Sequence, residues 1–130
     1  MSRTSVDELL ASARDGVPRL TPQEALAASA RGAVLVDVRS ADEQARQGAL
    51  VPGAVHHPLS VVLWRLDPAV PTRNPKLPLE THVILICREG YSSSLAAAQL
   101  REIGFSRATD VIGGVEAWQA AGLPVEPPSA

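Results

Sequence analysis

Helical and strand-like patterns of apolar and polar residues alternate along the chain, as expected for a sheet flanked by helices on both faces. The runs Val34-Leu35-Val36-Asp37-Val38 and Val83-Ile84-Leu85-Ile86 read as buried strands, and shorter strands are expected near Val55 and over 109–112. Helix-start signals fall between them. Ser5 with Glu8 forms a capping box for a helix that Arg14-Asp15-Gly16 ends. Thr21-Pro22-Gln23-Glu24 repeats the signal with proline at the first helical position, and Arg31-Gly32 closes that helix. Ser40-Ala41-Asp42-Glu43 opens a third, and Val51-Pro52-Gly53-Ala54 then turns the chain. A helix around 60–66 precedes a connection punctuated by Pro68, Pro71 and Pro75. After strand 83–86, a helix runs to about Ile103 with Gly104 as its cap, and Gly113-Gly114 leads into a last helix carrying Trp118.

Composition narrows the class of protein without naming a function. A chain of 130 residues with 45% apolar content suits one domain that buries roughly two-thirds of its unfolded surface. A net charge of −2 creates no field suited to nucleic acid or an anionic membrane. No apolar run approaches the roughly 20 residues of a membrane span. The opening residues, Met1-Ser2-Arg3-Thr4-Ser5, lack the apolar segment of a secretion signal, and a single cysteine forms no internal disulfide. A cytoplasmic protein is expected.

That cysteine, Cys87, lies between a strand and a helix, in Cys87-Arg88-Glu89-Gly90-Tyr91-Ser92-Ser93. Unpaired N–H groups in the first turn of the following helix, and the positive end of its dipole, favour a thiolate and any anion attached to it. Asp37 and Arg39 follow a buried strand at the end where parallel sheets place their sites. An architectural tie between turns, with Asp42 or Glu43 as partner, is the simpler role for this pair. Ser93 and Ser94 read as helix-start hydroxyls, because no histidine is placed to activate them. His56-His57 would point to opposite faces of a strand, and no second ligand cluster accompanies them. No metal or organic cofactor is implied.

Four separated landmarks, in order, resemble the single-domain rhodaneses, a sulfurtransferase family: Asp37-Val38-Arg39, Pro52-Gly53-Ala54, the Cys87 loop, and Gly113-Gly114-Val115-Glu116-Ala117-Trp118. The resemblance covers about Leu20 to Pro124. It implies an α/β fold, a rhodanese-like three-layer sandwich with a five-stranded parallel sheet between helices. Residues 1–19 are then an N-terminal helical extension, 20–125 the rhodanese-like domain and 126–130 a frayed tail. It also implies that Cys87 is the catalytic nucleophile, with Arg88, Glu89, Gly90, Tyr91, Ser92 and Ser93 curling around a persulfide and Asp37 and Arg39 supporting the site.

Such chemistry needs a soft nucleophile that attacks a sulfane sulfur and then holds it. Small-molecule partners would be a donor, thiosulfate or a persulfide, and a thiol or cyanide acceptor; a protein could also accept the sulfur. The loop from Cys87 through Ser92 has the sulfurtransferase length. Phosphatases of the same fold use one residue more and end the loop in arginine, where this chain has Ser93. Many active rhodaneses resemble Cys-Arg-x-Gly-x-Arg here, so Ser92 replaces a second arginine, and a persulfide is expected to be a better donor than thiosulfate. The alternative to an enzyme is a rhodanese-fold binding or regulatory module.

Overall fold

The computed structural model describes residues 2–128. Four parallel strands form the sheet: β1 (Val34–Asp37), β2 (Val55–His56), β3 (Val83–Ile86) and β4 (Thr109–Asp110), in the order β2-β1-β3-β4. Helices α1 (Val6–Arg14), α2 (Pro22–Ala30), α3 (Ala41–Gln47), α4 (Val62–Leu66), α5 (Ser92–Glu102) and α6 (Gly114–Ala120) surround it. Capping boxes start the first three helices, through Ser5 with Glu8, Thr21 with Glu24, and Ser40 with Glu43. Each box satisfies backbone donors that would otherwise lack partners.

Every residue of β3 is buried, because its two faces serve two cores. Val83, Leu85 and Cys87 join Val36, Val62, Leu66, Ala96, Ala97, Leu100 and Phe105 on the side of α4 and α5. Ile84 and Ile86 join Leu35, Ala25, Val111, Val115 and Trp118 on the side of α2 and α6. The alternation of a strand therefore assigns Cys87 to the α4/α5 face.

The sheet has four strands rather than the expected five. The fifth position survives as one parallel bridge, Leu20 with Val111. Leu20 N–H donates to Asp110 O (3.1 Å), and Ile112 N–H donates to Leu20 O (2.8 Å). Pro22 opens α2 two residues later and has no N–H to extend the ladder. At the other end of the chain, the segment expected to fray from 126 is tied at Glu126, whose backbone exchanges hydrogen bonds of 2.9 and 2.7 Å with Leu50. Ser129 and Ala130 lie outside the described residues.

Strand order sets the place for a site. From β1 the chain steps to β2 on one side, then crosses to β3 on the other, so the connections diverge between the C-terminal ends of β1 and β3. Open α/β sheets bind ligands at such a switch point. Cys87 is the residue that follows β3 there.

Candidate active site

Cys87 is 5% exposed and lines two neighbouring cavities. One, of about 270 Å³, is lined by Glu43, Cys87, Arg88, Glu89, Tyr91 and Ser92. The other, of about 470 Å³, adds an apolar wall from Val38, Pro58 and Leu59. A larger hollow of about 680 Å³ sits at the opposite end of the strands, beside Arg31, Val34 and His82, away from Cys87.

The loop after β3 closes over the sulfur. Gly90 N–H donates to Cys87 Sγ at 3.1 Å. Gly90 has φ +90°, and a Cβ there would lie 2.7 Å from Gly113 N, so both the turn and the contact require glycine. Gly114 packs equally closely on the carbonyls of Cys87 and Arg88, which accept from Val115 N–H (2.9 Å) and Glu116 N–H (3.1 Å). Unlike α1 to α3, α5 has no side-chain cap at its start. No side-chain hydroxyl therefore occupies the N–H groups of its first turn, of which Ser94 N–H donates to Tyr91 O (3.1 Å).

Beneath the loop lies a buried polar chain that the sequence did not reveal. Cys87 Sγ and Ser93 Oγ are 3.2 Å apart, and Ser93 Oγ donates to Asp110 Oδ2 at 2.7 Å. Asp110 also accepts from Ser94 Oγ (2.8 Å) and from Arg19 through Nε (2.9 Å) and Nη2 (3.2 Å). A serine hydroxyl has one proton. With a thiol at 87, Ser93 accepts from Sγ–H and donates to Asp110. With a thiolate or persulfide it can turn that proton to sulfur, and Asp110 keeps Arg19 and Ser94. Ser93 and Ser94, read as helix-start hydroxyls, therefore belong to α5's inner face. Asp110 ends β4 at the C-terminal edge of the sheet, a position that could have flagged it.

The remaining loop residues lie at the mouth. Arg88 and Glu89 are exposed and paired at 2.7 Å, with Glu116 4.0 Å from Arg88. Tyr91 is 58% exposed, and Ser92 begins α5 on the wall of both cavities. Asp37 and Arg39 border neither cavity. Arg39 donates to both Asp37 oxygens (Nη2 to Oδ2, 2.7 Å), to Gln47 Oε1 (2.9 Å) and to Ala49 O (3.0 Å), and Gln44 completes the carboxylate's shell. Their partners are Gln44 and Gln47 rather than Asp42 and Glu43: Asp42 pairs with Arg46, and Glu43 caps α3. His56 and His57 separate, one meeting Arg39 O (2.8 Å) and the other Asn74 Nδ2 (3.2 Å).

Comparison with known proteins adds to this geometry. The model of the rhodanese-like domain matches residues 21–121. The chain belongs to the rhodanese-like family. It is 35% identical to the thiosulfate sulfurtransferase GlpE of Pseudomonas entomophila over 78% of this chain and 84% of that one. It is also 35% identical to the adenylyltransferase and sulfurtransferase uba4 of Ogataea parapolymorpha over 68% of this chain, but only 20% of that much longer protein. Among solved structures, a Rhodopseudomonas palustris protein of unknown function, described as a possible tyrosine phosphatase, superposes with a TM-score of 0.84. It is 26% identical, with 97% of this chain and 99% of that one covered. This rhodanese-like chain is a sulfurtransferase of the rhodanese type. Six places beyond Cys87, where a phosphatase loop of this fold would end in arginine, Ser93 is buried against Asp110.

Proposed function

We propose that this rhodanese moves a sulfane sulfur from a donor to an acceptor by way of a Cys87 persulfide. The observation that carries the reading is the Gly90 N–H aimed at the sulfur of the chain's single cysteine, at the uncapped start of α5 and beside an open cavity. In the first half-reaction the Cys87 thiolate attacks the outer sulfur of thiosulfate or a persulfide. A new S–S bond forms, the old one breaks, and sulfite or a thiolate leaves with the bonding pair. In the second, an acceptor thiolate or cyanide attacks the outer sulfur and returns Cys87 as thiolate. The Gly90 N–H, with the Ser93 hydroxyl turned to sulfur, stabilises the anion on Cys87 before and after each step.

Charge at the mouth favours a persulfide donor over the thiosulfate dianion. Ser92 supplies no positive charge, Arg88 is offset by Glu89 and Glu116, and Glu43 faces the same cavity. The exposed Tyr91 and Leu59 on the cavity rims suit a larger acceptor, including a protein thiol in a reducing cytoplasm. Intact-protein mass spectrometry after incubation with thiosulfate or a persulfide tests the reading. A gain of one sulfur atom, absent in Cys87→Ser and lost on adding a thiol, is expected. No uptake from any donor would overturn it in favour of a binding module.

A further inference from the structure

We infer that Arg14 and Arg19, from the segment preceding the family-matched region, are positioning residues of the active-site loop. Both reach the same backbone carbonyl. Arg14 Nη2 donates to Gly90 O at 2.8 Å and Arg19 Nη2 at 3.1 Å. Gly90 is the residue whose N–H meets Cys87 Sγ, so its two peptide planes are held from opposite sides, one by the sulfur and one by the guanidiniums. Peptide planarity fixes the consequence. With Gly90 O turned to the arginines, the Tyr91 N–H of the same trans peptide points away from them.

The same arginines explain how the loop tolerates Ser92. Below it, Arg19 pairs with the buried Asp110 carboxylate, while half-buried Arg14 reaches Gly90 O and Ser94 Oγ and has no carboxylate partner among the described residues, so its positive charge stays unmatched where charge is weakly screened. Above it, Arg88 is matched by Glu89 and lies exposed. Support for a sulfur anion thus comes from beneath, transmitted through the Gly90 peptide and the Ser93–Asp110 chain. Arg14 also donates to Ser94 Oγ (3.0 Å), which ties α1 to the base of α5. A separate contact docks the same helix without touching the loop: Arg101 Nη2 donates to Ala13 O at 2.6 Å.

The inference rests on the persulfide reading for its purpose, but its test does not. The rate of Cys87 alkylation by iodoacetamide, followed across pH in the full chain, reports the loop's support of the thiolate whether or not sulfur is transferred. Arg14→Met keeps the aliphatic stem and removes the fork. It is expected to slow alkylation at neutral pH about threefold to tenfold and to move the profile to higher pH. Arg14→Lys, with one charged donor group, should fall between. Arg101→Met removes a tie to α1 at Ala13 O and one to Ala108 O, neither on the loop, and should lower the unfolding midpoint without moving the profile. An Arg14→Met profile identical to wild type would overturn the inference, as would the same shift in Arg101→Met. Should Arg14→Met fail to fold, the Arg14→Lys and Arg101→Met comparison decides by the same criterion.

Discussion

Adding a single methyl group at Gly114 tests how the loop is clamped. The position has φ +59°, a region that costs an alanine about 1–2 kcal/mol. Its Cβ would overlap Cys87 O and sit 2.7 Å from the Arg88 carbonyl carbon, both backbone atoms that cannot swing aside. Relief requires α6 to retreat, which stretches the hydrogen bonds from Val115 N–H to Cys87 O (2.9 Å) and from Glu116 N–H to Arg88 O (3.1 Å). At about 0.5–1.5 kcal/mol each, their loss with the strain gives a cost of about 3 kcal/mol. Gly53→Ala supplies the control, because its φ is +79° but nothing lies within 4 Å of the new Cβ, so it carries the strain alone. Urea unfolding of both variants separates the steric part, and sulfur uptake per folded molecule should fall only in Gly114→Ala. Equal destabilisation of the two variants would refute the clamp.

Other positions give sharper readings of single interactions. Ser93→Ala should slow sulfur uptake by roughly tenfold, through loss of the hydroxyl beside Sγ, with Ser93→Thr restoring most of it; equal rates in all three proteins would count against the hydroxyl. Arg39→Met leaves Asp37 buried without its cation and should cost about 3–5 kcal/mol in urea titration while folded protein keeps its rate, and a slowed but fully stable variant would return Arg39 to the chemistry. Ser92→Arg should raise thiosulfate kcat/KM by roughly tenfold and persulfide kcat/KM much less; no change refutes the charge argument. Burial, with Arg65 and His56 as further causes, holds His57 below the ordinary imidazole value, and burial with Arg107 does the same to His82. The unfolded rings take up protons near pH 6.5 and the folded rings resist, so stability should fall as pH drops below about 6.5. Replacing both with asparagine should flatten that decline in urea midpoints between pH 7.5 and 5, and parallel curves would exclude the histidines as its source.

Local signals carried most of the fold. Ser or Thr followed three residues later by Glu starts a helix wherever it stands, and the buried runs ending at Asp37 and Ile86 are the two central strands. Gly113-Gly114 and Gly90 were readable as close-packed turns because only glycine suits such approaches. The fifth strand was not readable as a remnant: Leu20 meets Val111 only after the chain has crossed the sheet. Arg14 and Arg19 carried no local signal either, since Arg14 reaches its carbonyl across 76 residues of sequence. Asp42 and Glu43 were attractive partners for Arg39 by proximity, but the i, i+4 pairing of Asp42 and the capping duty of Glu43 claim both.

These elements together decide from which side a substrate can come. Cys87 leaves β3 toward the α4/α5 face, α6 closes on the Cys87 and Arg88 carbonyls, and α5 with the two arginines holds the loop from beneath. What stays open is the arc between Glu43 at the start of α3, the Pro58-Leu59-Ser60 turn and Ser92. One side of that arc is acidic and the other apolar, so a substrate that brings an apolar body and little negative charge meets the sulfur with the least desolvation and repulsion.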